Sequence, residues 1–260
     1  MARRQIAGLR TIVTGASSGI GRAIVIELIR RGAKVVGLAR RQERLQELQS
    51  QLAATDCYRW HAGDVTCRED RAAALELAGR HFGGLDSLIN NAGSGALGRF
   101  DQADEARLRQ MMEVNFFAPA EFIREALPAL RQGRQPIIVN VGSVLGHRAV
   151  PEKSEYCAAK FALHGLTDAL RIELARDGID TLLVSPSTTA SEFFEVAAGN
   201  SAMSETHFGA MPPEKVARRI VAAMAAGRRE IIFPTTGKLL VWLDRLCPPL
   251  ADYIISRWQE

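Results

Sequence analysis

Thr14-Gly15-Ala16-Ser17-Ser18-Gly19-Ile20-Gly21 stands between an apolar run over residues 9–14 and an amphipathic segment over residues 19–31. A strand that turns through glycines into a helix opens a dinucleotide-binding α/β fold. The turn requires residues without a Cβ, so that backbone N–H groups can approach a pyrophosphate at the helix N-terminus. Gly15, Gly19 and Gly21 supply them, with Ser17, Ser18 and Ile20 completing the turn. The spacing is Gly-x-x-x-Gly-x-Gly, not the Gly-x-Gly-x-x-Gly of other dinucleotide binders.

The same alternation continues outward. Strands are expected over residues 34–39, 57–61, 87–90, 136–141, 180–185 and 230–233. Helices are expected over residues 43–53, 69–82, 104–131, 154–176 and 213–226, with a bend at Pro119 in the fourth helix of the chain. Residues 191–213 read as a less regular stretch. Strands that alternate with helices pair in parallel through right-handed crossovers. The fold class is therefore α/β, a doubly wound Rossmann-type sheet of about seven parallel strands with helices on both faces. No repeat or linker divides the chain, so residues 1–260 read as one domain.

Bulk properties narrow the class further. The hydrophobic content of 47% and charged content of 24% are those of a globular protein. The net charge of +4 comes from scattered arginines without a basic-aromatic stripe, which argues against a nucleic-acid partner. Cys57, Cys67, Cys157 and Cys247 form no Cys-x-x-Cys pair. His61, His81, His147, His164 and His207 suggest neither a triad nor a metal site. Met1-Ala2-Arg3-Arg4 leads into the first strand without an apolar leader, and no apolar run is long enough to span a bilayer. A cytoplasmic, reduced setting is expected.

Two further features carry chemistry. After the second strand, where a carboxylate would bind the ribose hydroxyls of NAD, the chain has Leu38-Ala39-Arg40-Arg41. A guanidinium grips a 2′-phosphate that a carboxylate would repel. Arg40 is the chief candidate, with Arg41, Ser17 and Arg22 as helpers, and the expected cofactor is NADP(H). Tyr156 and Lys160 lie one helical turn apart and share a helix face. A neighbouring ammonium favours phenolate and should lower the tyrosine from about 10 toward the working range. A tyrosine so placed can give a proton to a carbonyl oxygen and take it back.

With Gly63-Asp64-Val65-Thr66, Asn90-Asn91-Ala92-Gly93, Asn115, Ser143 and Pro186 added in order, the chain resembles the short-chain dehydrogenases/reductases, in their compact single-domain subgroup. The resemblance implies that Tyr156 is the general acid/base. It implies that Lys160 stabilises the phenolate and holds the nicotinamide ribose, and that Ser143 hydrogen-bonds the substrate carbonyl. Asn115 would hold a water linking Lys160 to solvent. Asp64 and Val65 would touch adenine, and Asn91, Ala92 and Gly93 would line the nicotinamide ribose. Thr189 and Ser191 would meet the nicotinamide amide after Pro186. Ser187 departs from the family's glycine at that turn. Relatives commonly pair their two long helices, so a homodimer or homotetramer is expected.

Val144, Leu145, Val150, Phe193, Phe194, Val196, Met203, Phe208 and Met211 would line the substrate entrance, which suits an apolar ketone or aldehyde. A 3-oxoacyl-[acyl-carrier-protein] reductase and a non-catalytic NADP-binding regulator are the alternatives. In the amphipathic extension, residues 237–260, two helical stripes flank Cys247-Pro248-Pro249. Leu239, Trp242, Leu243 and Leu246 form the first, and Leu250, Tyr253, Ile254 and Trp258 the second. Packing of these stripes on the domain or a twin is the plainer reading, and contact with a membrane surface or a lipid-like substrate at the apolar entrance the other.

Overall fold

The computed structural model describes residues 4–52, 55–187, 198–199 and 210–257. In chain order the first elements are β1 (Arg10–Thr14), α1 (Gly19–Arg30), β2 (Lys34–Ala39), α2 (Gln42–Gln51), β3 (Tyr58–Ala62), α3 (Arg68–Phe82) and β4 (Ser87–Asn90). Then come β5 (Ala96–Leu97), α4 (Glu105–Met112), α5 (Ala118–Leu130), β6 (Ile137–Val141), α6 (Ser154–Glu173), β7 (Asp180–Pro186) and β8 (Ala198–Gly199). The last are α7 (Pro213–Ala225), β9 (Glu230–Phe233), α8 (Thr235–Leu246) and α9 (Pro248–Arg257).

Seven strands form one sheet in the order β3-β2-β1-β4-β6-β7-β9, and every pairing in it is parallel. Successive side chains of a strand face opposite sides, so each strand feeds two cores. Val13 and Val35 join Ile24, Leu28, Val216 and Ile220 on the face covered by α1 and α7. Ile12 and Val36 join Phe82, Phe122, Leu130 and Ile138 on the face covered by α3 and α5. A sheet buried on both faces needs near-continuous apolar strands, as these are. Each fully buried Leu or Ile contributes roughly 1.5–3 kcal/mol.

Chain order reverses between β1 and β4. Their carboxyl ends therefore open a crevice, the usual ligand position in such sheets.

Residues 104–131, expected as one bent helix, are instead two helices joined by a π-helical segment, Glu113–Phe117. The physical reason is local. Pro119 has no N–H to give to the carbonyl of Asn115, four residues back. The ladder widens, and the N–H of Ala118 bonds to Glu113 O, five residues back. Residues 154–176, expected as one helix, end their α-helical part at Glu173 and tighten into a 3₁₀ turn, Leu174–Asp177.

Candidate active site

The glycine turn follows from close packing at the switch point. Gly15 has a φ of 67°, where a side chain would be strained. A Cβ on Gly21 would lie 2.2 Å from the carbonyl oxygen of Gly15 and 2.5 Å from Asn91 Nδ2. Asn91 fills this corner. Its Nδ2 donates to the Thr14 carbonyl at 2.9 Å, and the backbone N–H groups of Asn91 and Ala92 both donate to Thr14 Oγ1 at 2.9 Å. The Asn91 side chain thus braces the glycine turn, while Ala92 and Gly93 continue along the crevice. Thr14, which opens the glycine motif but received no role from sequence, organises the corner through its hydroxyl.

The arginines after β2 lie differently about the glycine turn. Arg41 reaches back over the turn, with Nη2 donating to Ser18 Oγ at 2.5 Å and Nε to Ser17 Oγ at 3.4 Å. Arg40 is exposed. Arg22 is held by the side-chain carbonyl of Gln51 on α2. The structure therefore brings Arg41, which sequence reasoning set second, onto the glycine turn, while Arg40 is exposed to solvent. Asp64 accepts from the backbone N–H of Thr66 at 2.9 Å and from its hydroxyl at 2.8 Å. Asp70 clamps the same turn by accepting from Asp64 N–H at 2.8 Å. A hydrogen bond from His61 holds the Asp70 carboxyl below its ordinary range. Val65 is buried against the helices of one face.

Ser143, Tyr156 and Lys160 are all buried beyond the carboxyl ends of β4 and β6. Ser143 Oγ accepts the N–H of Leu145 at 3.0 Å. Lys160 Nζ donates to the carbonyl of Val141 at 3.0 Å and lies 5.6 Å from the centre of the Tyr156 ring. Burial pulls the Lys160 ammonium down to about 8. Burial also pushes the Tyr156 phenol up, and the bond from Ser143 only partly opposes it. The expected lowering of Tyr156 by Lys160 is thus corrected for the chain alone. The ammonium sits against the ring and bonds a backbone carbonyl, so desolvation dominates.

Asn115 lies in the π-helical segment, which packs on α6. Its Nδ2 donates to the carbonyls of Ser94 and Met111, both at 3.0 Å, while its Oδ1 is buried without a protein partner. Glu155, next to Tyr156, is buried and paired with Arg107 of α4 at 2.7 Å. That pair anchors the start of the helix carrying Tyr156. Sequence reasoning missed it because the partners are far apart in the chain.

Pro186 ends β7, and the N–H of Ser187 donates to Phe233 O at 2.9 Å. Thr189, Ser191, Phe193, Phe194, Val196, Met203, His207, Phe208 and Trp258 lie outside the described residues. Val144 is buried beneath α8, where a Cβ on Gly237 would meet its Cγ2 at 2.9 Å. Met211, expected at the entrance, is instead buried in the core beneath α7, because its segment runs straight into that helix.

Two of the histidines are hydrogen-bonded within the fold and lie side by side. His147 bonds Ser185 Oγ at 2.8 Å and packs against His164, with ring centres 4.3 Å apart and the planes tilted by 54°. His164 Nδ1 bonds Gly146 O at 3.0 Å. With Glu230 these residues bring ligand-type atoms within 4.8 Å of one another. This grouping arises because β9 joins the sheet beside β7. Cys157 is buried, and burial pushes its thiol up, as suits a packing residue.

A parallel sheet with a glycine turn at its switch point, beside a buried serine, tyrosine and lysine, defines an oxidoreductase of the Rossmann type. The chain belongs to the short chain dehydrogenase family, whose profile matches residues 10–200. It is 32% identical over 253 residues to YxnA, an uncharacterized oxidoreductase of Bacillus subtilis, covering 95% of this chain and 71% of that one. It is 30% identical over 263 residues to 11-beta-hydroxysteroid dehydrogenase A of Sesamum indicum, covering 96% and 75%. A short-chain dehydrogenase from Streptomyces avermitilis superposes with a TM-score of 0.81 at 30% identity over 96% of this chain and 98% of that one. A Burkholderia phymatum short chain dehydrogenase/reductase crystallised with NAD shares the fold at a TM-score of 0.87 and 24% identity, covering 95% and 96%.

Proposed function

We propose that the chain is an NADP(H)-dependent oxidoreductase acting at the carbonyl/alcohol carbon of an apolar ketone or aldehyde. One observation carries the reading: Ser143, Tyr156 and Lys160 are buried together, with Lys160 Nζ on the carbonyl that ends β6 and 5.6 Å from the centre of the Tyr156 ring. The crevice suits a dinucleotide, because the glycine turn sets the N-terminus of α1 at the carboxyl end of β1, beside β4 at the switch point. Gly15, Ser17, Ser18, Gly19, Ile20 and Gly21 would face the pyrophosphate, with Arg41 and Arg40 at the 2′-phosphate. Asp64 and Val65 would meet the adenine. Ala92, Gly93, Pro186, Thr189 and Ser191 would serve the nicotinamide end, with Asn91 bracing the turn. When bound, the dinucleotide supplies or accepts the hydride.

The chain's own groups do the rest. Tyr156 gives its proton to the carbonyl oxygen in reduction and takes it back in oxidation. Ser143 donates to the same oxygen, where negative charge grows. Lys160 remains an ammonium below about pH 8 and favours the phenolate once Tyr156 has given up its proton. Asn115 would position a water toward Lys160, and its unpartnered Oδ1 offers an acceptor there.

The hydroxysteroid dehydrogenase relative favours an apolar carbonyl over an acyl-carrier substrate. Exposed Phe117, Phe161 and Ile172 on the α5–α6 side support a homodimer or homotetramer through those helices. Light scattering that returns a monomer would reject the oligomer. The function itself is tested by following oxidation of NADPH and NADH with a panel of fatty, steroid and short-chain carbonyls. Tyr156→Phe should lower turnover by about 10²–10⁴-fold and leave NADPH binding intact. A variant that keeps half the parent rate removes Tyr156 from the reaction.

A further inference from the structure

The C-terminal helices present to solvent the face that their sequence suggested they would bury. Val241, Ala251 and Ile255 are buried, while Leu239, Trp242, Leu246, Leu250 and Tyr253 are exposed, Trp242 at 50% and Leu246 at 78%. These are five of the nine large apolar residues exposed among the described residues, so the apolar surface is concentrated on α8 and α9. A cluster of that kind needs a cover.

Charge selects the cover. The carboxylates of this pair, Asp244 and Asp252, are both taken by Arg148, the first at 2.7 Å. Lys238, Arg245 and Arg257 are exposed, and no carboxylate pairs with them among the described residues. The guanidinium of Arg257 lies over the ring of Tyr253. Aromatic and leucine side chains flanked by cations match an anionic lipid surface. A second copy docked on the same face about a two-fold axis would bring like cations together.

We infer that the outer face of α8–α9 docks on anionic membranes. The pair is tied to the candidate site, since Arg148 follows the Ser143 loop and Gly237 packs on Val144. Docking would set the substrate mouth against the bilayer, where an apolar carbonyl collects. Among the described residues no helix is long and apolar enough to cross the membrane, so this contact is peripheral.

The test sediments the full chain with vesicles of phosphatidylcholine alone and of phosphatidylcholine with phosphatidylglycerol, without cofactor. It is therefore independent of the reaction assigned above. Binding is expected to the anionic vesicles and to weaken in high salt. Lys238→Ala with Arg245→Ala should lower the partition coefficient by about 25-fold, about fivefold per cation. Trp242→Glu with Leu246→Glu should abolish binding without changing the mass in light scattering. The high-salt measurement on the parent serves if that variant fails to fold. Three results overturn the inference: no binding by the parent, equal binding to both vesicle types, or a fall in oligomer mass in the Trp242→Glu/Leu246→Glu variant.

Discussion

Gly21→Ala adds one methyl group at the most crowded point of the glycine turn. The new Cβ would lie 2.2 Å from Gly15 O, 2.8 Å from Gly15 C and 2.5 Å from Asn91 Nδ2. Carbon–oxygen contacts rest at about 3.3–3.6 Å, so the turn must open by about 1 Å. It has little freedom to do so, because Gly15 N–H is tied to Leu38 O at 2.8 Å and Asn91 to Thr14. Overpacking of this kind costs about 1–3 kcal/mol. For a chain of this size that lowers Tm by roughly 2–12 °C. Displaced N–H groups also lose charge-assisted bonds to a pyrophosphate, each worth about 1.5–3 kcal/mol, so dinucleotide affinity should fall at least about tenfold. Fluorescence titration with NADPH and NADH reads the affinity, and calorimetry reads the stability. Gly79→Ala is the control, since nothing lies within 4 Å of its Cβ position in α3 and alanine there should gain about 0.5–1 kcal/mol. A Gly21→Ala protein that binds either dinucleotide as the parent does would refute the placement of the cofactor on this turn.

Arg41→Ala should weaken NADPH by roughly tenfold or more and NADH little, and Arg40→Ala should have the smaller effect. The basis is the contact of Arg41 with Ser17 and Ser18. Equal losses for both dinucleotides in titrations would exclude a 2′-phosphate role. Burial lowers His147 from 6.5 to about 4, so the unfolded chain binds the extra proton between those values. The associated stability is complete above pH 6.5 and is lost as pH falls toward 4, up to about 3 kcal/mol. Urea melts across that range should show the loss in the parent and a flatter profile in His147→Phe. Asp86 is buried at the amino end of β4, and burial pushes its carboxyl up. Hydrogen bonds from Arg10 and from Arg134 N–H outweigh that and hold it below its ordinary range. Asp86→Ala should cost about 3–5 kcal/mol in urea melts, with turnover per folded molecule unchanged.

The sequence by itself determined the fold class, because apolar strands, amphipathic helices and a glycine turn are local patterns. It also determined which side chains are candidates for chemistry, since Tyr156 and Lys160 share a helix face by spacing alone. Tertiary structure decided what depends on distant neighbours. Pro119 does not simply bend its helix, because the lost N–H falls opposite Asn115 and the ladder widens around it. Arg41, not Arg40, lies on the glycine turn, because the crossover from β2 sets which of two adjacent arginines faces Ser17 and Ser18. The pull of Lys160 on Tyr156 yields to desolvation, a property of the surrounding core and not of helical spacing. The C-terminal stripes mark amphipathic helices correctly, but periodicity cannot say which side meets the domain. Packing of Val241, Ala251 and Ile255, with Arg148 bonding Asp244 and Asp252, turns the tryptophan and leucine face outward.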